Sequence, residues 1–318
     1  MPQLTVVVPL MDQVDAFENT LASILRCEDQ RIQLVVTHDG RYDDPHGILS
    51  EVESVIIPSH RDTSLLGRVA AAASVCQSPW IHWLAPGVEA TEGWCDELID
   101  TLGKQSEVGL VSPRIFSQEA PEDCMASGVM ATPSGHAQYL EDVYGEDWSL
   151  EDVQDDGALV GPTGWAGFCR RTLLEQWHAE WGSLRLPNGY AEQALGLMVQ
   201  RDGWEHRVGE SCLTACDTIC EQIERGWKRD GRAASAIIGR LQSGSSSSKL
   251  IRSLQYAIGE IAFGLLSPGS FSAGVSRLSN LTLATASSDR RPAVSSDILS
   301  LPESESPDSR PQRRKRAA

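Results

Sequence analysis

The sequence predicts an α/β protein with a mostly parallel sheet flanked by helices. Three observations carry that expectation. Residues 4–9 (LTVVVP), 34–40 (LVVTHDG) and 80–84 (WIHWL) are short, near-continuous apolar runs rich in β-branched and aromatic residues. Such runs suit strands buried on both faces. Stretches of helical period separate them, and the alternation continues for over a hundred residues, which favours one α/β sheet over separate β domains.

The first unit reads as strand 4–9, a helix and strand 34–40. Phe17, Leu21, Ile24 and Leu25 fall at i, i+4, i+7 and i+8, the spacing of one apolar helix face. Asp15 is the expected N-cap, with Glu18 three residues on. A parallel pair joined this way crosses over right-handed. Ligands bind beyond the carboxyl ends of such strands, which places Asp12 and Asp39 near a small-molecule pocket. Residues 52–58 read as a third strand and the alanine-rich 66–75 as a helix. The fourth strand, 80–84, is stopped by Pro86 and Gly87. A helix over 94–102 and a strand over 108–113 follow.

Residues 118–156 are acidic, with Gly and Pro interspersed, and read as a long surface loop or insertion. Residues 164–177 read as a short strand entering a helix at Arg170 and Arg171. Residues 188–204 read as a second helix with Arg201 in its last turn, ending near Gly203. The serine-rich run 243–248 is a flexible joint. Beyond it Leu250, Ile251, Leu254, Ile258, Ile261, Ala262 and Leu265 form an apolar stripe, for which packing on the parent domain is favoured over a membrane surface. The resulting division is a main domain over 1–239, a linker and helical extension over 240–286, and a disordered tail over 287–318.

The chain carries a net charge of −17, which disfavours nucleic acid as a partner. The tail from Ser287 holds seven Arg and Lys against five Asp and Glu, leaving about −19 on the rest. Eight cysteines stand in a chain with no basic start followed by a long apolar stretch. Reduced thiols and a cytoplasmic location, at the inner face of a membrane at most, are the expectation. Cys212, Cys216 and Cys220, four apart, read as a buried helical stripe in preference to a metal site. No segment has the roughly 20 apolar residues that span a bilayer.

Four segments together resemble the family-2 glycosyltransferases, which have the GT-A fold and transfer a sugar from a nucleotide-diphosphate donor. VVVPLMD has Asp12 where the family has Asn, and it is followed by the helix ENTLASIL. THDGRYDD, residues 37–44, is similar to the family's Asp-Asp-Gly-Ser strand end. WIHWLAPGVEATEGWCDEL, residues 80–98, is similar to its fourth strand and Trp-Leu helix. GWAGFCRR, residues 164–171, is followed by GYAEQALGLMVQRDG, similar to its acceptor-side helix. The likeness spans roughly residues 4–217.

The resemblance implies a nucleotide-diphosphate sugar, a UDP-sugar first, with the base held near Pro9, Asp12 and Asp39. It implies a glycan or lipid-linked acceptor in polysaccharide or envelope assembly, and transfer with inversion. It also implies Mg²⁺ or Mn²⁺ on an Asp-x-Asp motif, yet Ala85, Pro86 and Gly87 stand at those positions. No metal ligand set is therefore expected, with Glu89 the weak candidate. The family's Glu-Asp pair is matched by Glu192 and Gln193; Gln takes no proton at neutral pH, leaving Glu192 as the expected catalytic base. The alternative is a catalytically inactive protein that keeps the fold and binds nucleotide sugar as a scaffold.

Overall fold

The computed structural model describes residues 2–11, 13–27, 29–42, 44, 47, 49, 52–57, 64–131, 137–140, 159–182, 186 and 190–215. The helical extension, the apolar stripe, the serine-rich joint and the basic tail all lie outside the described residues, as does Asp12.

In chain order the elements are β1 (Leu4–Pro9), α1 (Val14–Arg26), β2 (Ile32–His38), β3 (Glu53–Ile56), α2 (Leu65–Ala72), β4 (Trp80–Leu84), β5 (Val88–Ala90), α3 (Asp96–Asp100) and β6 (Val108–Ser117). Then follow β7 (Cys124–Ala126), β8 (Val129–Ala131), β9 (Ala137–Tyr139), β10 (Leu159–Gly161), β11 (Ala166–Arg170), α4 (Arg171–Trp181), α5 (Tyr190–Arg201) and β12 (Glu205–Ala215). The main sheet runs β3-β2-β1-β4-β11-β6-β12-β5, with β7 paired to β6; β10, β8 and β9 form a separate small sheet. β1, β2, β3 and β4 pair in parallel. β11 enters antiparallel between β4 and β6.

β1 and β4 match the sequence reading residue for residue, because both are buried along their whole length. α1 departs from it in composition. Leu25 is 48% exposed, whereas Thr20 and Ser23 are buried. Thr20 Oγ1 accepts from Gly87 N at 2.8 Å and Ser23 Oγ from Ala90 N at 2.9 Å, so polar side chains hold α1 to β5. The N-cap is Gln13, without a side-chain cap; Asp15 lies in the first turn instead, where its charge suits the positive helix end.

Four more differences have local causes. Trp94 and Cys95 are buried in a turn before a short α3, so the helix expected over 94–102 covers less. β6 continues through Pro113 to Ser117. The missing N–H costs nothing there, since β11 pairs only at Leu110 and Val111 and the β12 ladder is irregular between Val208 and Cys212. Within 118–156, expected as a loop, lie β7, β8 and β9. Cys212 lies in β12, an extended strand, so the helical stripe of cysteines does not form at that residue.

The centre of the sheet is aromatic. His82 stacks on Phe168 with ring centroids 3.6 Å apart, and Trp94 lies 4.9 Å away. Gly167 allows the approach on the other face, because a Cβ there would overlap the Trp83 ring and lie 2.9 Å from Pro162 Cβ. At the amino-terminal edge, Arg170 is held between the Trp80 and Trp204 rings at 4.9 and 5.0 Å. It donates to the Val108 and Gln105 carbonyls at 2.7 Å each, satisfying a charge at the strand-to-helix junction.

His82 Nδ1 lies 2.9 Å from the Gly167 carbonyl, which only accepts, so Nδ1 carries the proton and His82 is neutral. Burial pushes its pKa down to about 3, against the opposing pull of that hydrogen bond. The unfolded histidine protonates near pH 6.5 and the folded one does not until about pH 3, so the unfolded state binds more protons in that window. Stability therefore falls as pH drops below about 6.5, by up to about 1.4 kcal/mol per pH unit from this residue. Urea unfolding between about pH 7 and pH 5 should show this loss, and His82→Phe should flatten the slope; an unchanged slope would remove His82 as its source.

Candidate functional site

The carboxyl ends of β1, β2 and β4 lie on one edge of the sheet, since these strands are parallel and adjacent. The crossover from β1 leads to β2 on one side, while β4 lies on the other, making the β1/β4 boundary the switch point where ligands sit. Pro9 closes β1 there, opposite Thr37, and the Leu10 amide donates to the Thr37 carbonyl at 2.7 Å.

Asp39 follows β2 directly on this edge. Its Oδ1 accepts from the Arg41 amide at 3.0 Å, closing a turn through Gly40, whose φ is +82°. Oδ2 is 3.9 Å from Arg41 Nε. The side chain is partly exposed, which leaves carboxylate lone pairs for a ligand. Tyr42 ties this turn to α1 by donating to Glu18 Oε1 at 2.8 Å and packing edge-on against Phe17. Burial, then Glu18, pushes the Tyr42 hydroxyl pKa up, so it stays a donor.

Glu192 is positioned through the segment that leads into β11. Because β11 is antiparallel to β4, Ala166 stands opposite Leu84, and the Ala85 amide donates to the Trp165 carbonyl at 2.6 Å. The chain leading into β11 therefore passes the carboxyl end of β4, and Gly161 presses on the head of α5. A Cβ at Gly161 would lie 2.7 Å from the Glu192 carbonyl oxygen. Glu192 and Gln193 are both buried in the first turn of that helix.

Glu89 is placed elsewhere. It sits on β5 with Oε2 3.5 Å from Arg26 Nη2, at the last residue of α1. The helix begins near the ligand edge, and the Ala90 amide next to Glu89 is held by Ser23, nine residues along it, so Glu89 lies on the order of 10 Å from that edge.

The loop after β4 offers no ligand for a metal. Ala85, Pro86, Gly87 and Val88 are buried. Their amides are committed: Ala85 to Trp165, Gly87 to Ala16 and Thr20, and Val88 to Ala85. With neither a carboxylate nor exposure, these residues do not fit a hard divalent cation. Among the described residues one group has metal-ligand spacing: Asp29, Cys95 and Asp96, with ligand atoms within 4.8 Å of one another. It borders a cavity of about 530 Å³ at the far end of α1. Arg31 bridges both carboxylates there, at 2.6 Å and 2.5 Å, and hydrogen bonding to Arg31 holds the Asp29 carboxyl below its ordinary range. Burial pushes the Cys95 thiol up to about 12, keeping it protonated. The two carboxylates share one guanidinium, so the cluster is a closed ion-pair network that keeps one net negative charge.

Arg68 was not among the sequence candidates. It lies on α2, and its Nη1 donates to the Leu10 carbonyl at 3.0 Å, which places the guanidinium at the switch point. No carboxylate pairs with it among the described residues. A lone Arg in an alanine-rich helix makes no motif, and only the fold reveals where it points.

No family model matches the chain, and no curated protein does. Solved structures do match. The mannosyltransferase PcManGT from Pyrobaculum calidifontis, in complex with GDP-Man and Mn²⁺, covers 90% of this chain and 78% of its own at 14% identity, with a TM-score of 0.48. S. aureus TarS, residues 1–349, is 8% identical over 89% of this chain and 80% of its own, with a TM-score of 0.54. GalNAc-T7 with UDP, GalNAc and Mn²⁺ is 12% identical over 67% of this chain, with a TM-score of 0.52. The chain spans 43% of the GalNAc-T7 chain.

The fold is GT-A. In this GT-A sheet the position of the loop after β4 depends on the α1 lock. Thr20→Val removes the buried hydroxyl that accepts from Gly87 and should cost about 1–2 kcal/mol, or roughly 2–8 °C in Tm for a domain of this size. Hydrogen exchange at the Gly87 amide should accelerate in the same variant; unchanged exchange would show that the Ala16 carbonyl alone holds the loop.

Among the described residues no helix is long and apolar enough to cross a membrane. Cys27, Cys76, Cys95, Cys124 and Cys169 are free thiols.

Proposed function

We propose that the protein is a family-2-like glycosyltransferase, moving a sugar from a nucleotide diphosphate to an acceptor hydroxyl with inversion at the anomeric carbon, in polysaccharide or envelope glycan assembly. One observation supports this reading: in a GT-A sheet Asp39 follows β2 and Arg68 reaches the Leu10 carbonyl after β1, on the carboxyl-end edge where such folds bind ligands. The GalNAc-T7 structure of the same fold holds UDP, which makes a uridine nucleotide the first donor to test.

Asp39 takes the base. Its Oδ1 is engaged with Arg41, so Oδ2 accepts the ring N–H, a charge-assisted bond that favours a base with an imide or amide hydrogen. The sugar and diphosphate then run toward the β1/β4 boundary. In a single displacement the acceptor oxygen bonds to the anomeric carbon as the bond to the diphosphate oxygen breaks. The electron pair leaves with the diphosphate, and the acceptor proton passes to the Glu192 carboxylate. Glu192 is closed off from solvent, so acceptor access requires the packing around its carboxylate to open.

Calorimetry with UDP-sugars, followed by an assay of acceptor-dependent UDP release, tests the reading. Asp39→Asn should weaken UDP binding about tenfold, the loss of one charged hydrogen bond. Glu192→Gln should leave UDP binding intact and lower kcat by a factor of about 10² or more. Turnover that survives Glu192→Gln would remove it as the base, and turnover absent across a broad acceptor panel would leave a binding protein.

A further inference from the structure

We infer that the chain binds the diphosphate of its nucleotide without a divalent cation, with the Arg68 guanidinium supplying the positive charge. The inference rests on the nucleotide-sugar reading above and deepens it.

Two independent observations meet at the β1/β4 boundary. On the β4 side the loop 85–88 is buried, lacks carboxylates and has its Ala85, Gly87 and Val88 amides bonded within the protein. Nothing there holds a cation. On the β1 side Arg68 reaches the Leu10 carbonyl through Nη1. Among the described residues its enclosed Nε has no hydrogen-bond partner and Nη2 makes no hydrogen bond. A guanidinium that no carboxylate among the described residues neutralises, anchored by one nitrogen beside the carboxyl end of β1, is a ready anion contact.

The chemistry requires such a charge. A diphosphate brought to a sheet edge needs compensation on binding, and as a leaving group it gains charge in the transition state. Arg stays protonated at any working pH, and its planar fork matches two phosphate oxygens. Arg41 stands on the same edge but is exposed and faces Asp39. Arg68, fixed to the backbone at Leu10, is the preorganised one.

The experiment is calorimetric titration of the full chain with UDP and with GDP, in EDTA and in excess Mn²⁺, with uridine and guanosine as phosphate-free probes. Affinity for the diphosphates should agree within about twofold between EDTA and Mn²⁺. Arg68→Met should weaken diphosphate binding tenfold or more, as expected for one charge-assisted pair, and leave nucleoside binding unchanged. Arg68→Lys, which keeps the charge but loses the fork, should fall between. Because Arg68 also anchors Leu10, thermal melts must accompany the variants; should Arg68→Met fail to fold, the Lys variant and the EDTA comparison on the parent chain decide. A tenfold or greater gain in affinity on adding Mn²⁺, or wild-type diphosphate binding by a folded Arg68→Met, overturns the inference and leaves the transferase reading standing. Failure of both nucleotides to bind under every condition overturns both.

Discussion

The pairing of β4 with the antiparallel β11 is the contact on which the geometry of the site depends. It joins two strands whose residues are almost wholly buried, so its register is fixed by packing on both faces. On one face His82 stacks on Phe168; on the other Trp83 occupies the space left by the missing side chain of Gly167. A methyl group at Gly167 would force the indole aside, at a cost of about 1–3 kcal/mol for overpacking. With that register set, Trp165 lies against Ala85 at the carboxyl end of β4, and Gly161 meets the head of α5. Glu192 is thus positioned by a core contact made far from it in sequence.

Electrostatics is a second constraint. The chain as a whole is acidic, with a net charge of −17, and its general field opposes the approach of a polyanion. At physiological salt that field is screened over about 8 Å, so affinity for a diphosphate is decided by the charges within one side-chain length. Elsewhere the described arginines are largely spent on structure. Arg170 is held between indole rings, Arg171 donates to the Cys76 carbonyl, and Arg31, Arg201 and Arg207 are bound to carboxylates. Arg68 is set apart by its place: its anchor is the Leu10 carbonyl at the carboxyl end of β1, and no carboxylate among the described residues pairs with it.

Much of this was legible in the sequence where one interaction dominates. β1 and β4 are buried on both faces, so apolar continuity alone marks their ends. Arg170 and Arg171 mark the strand-to-helix junction, and Gly203, with φ +83°, marks the end of α5. Reading failed where burial is polar or elements are short. Thr20 and Ser23 replace Leu25 on the buried side of α1 because their hydroxyls serve the amides of β5 and its preceding loop, a pairing that hydrophobic period does not encode. β5, β7, β8, β9 and β10 have three residues each, too few to show alternation. Of the site, Asp39 was readable from its Asp-Gly turn after an apolar strand, whereas Arg68 carries no local pattern and acquires meaning only when α2 is laid beside β1.

The loop after β4 differs from a metal-binding one as a unit. A carboxylate at Ala85 would stand at a position that is 2% exposed, where an unpaired charge is costly to bury. At Gly87 the backbone has φ +91°, a conformation that a side chain disfavours, and its amide is the one that Thr20 accepts from. Restoring carboxylates at both ends of the tripeptide would therefore mean undoing the lock between α1 and β5 as well as changing two side chains. The buried turn and Arg68, which pairs with no carboxylate among the described residues, stand across the β1/β4 boundary from each other: where packing closes the β4 side of the switch point, the β1 side is the one that offers positive charge.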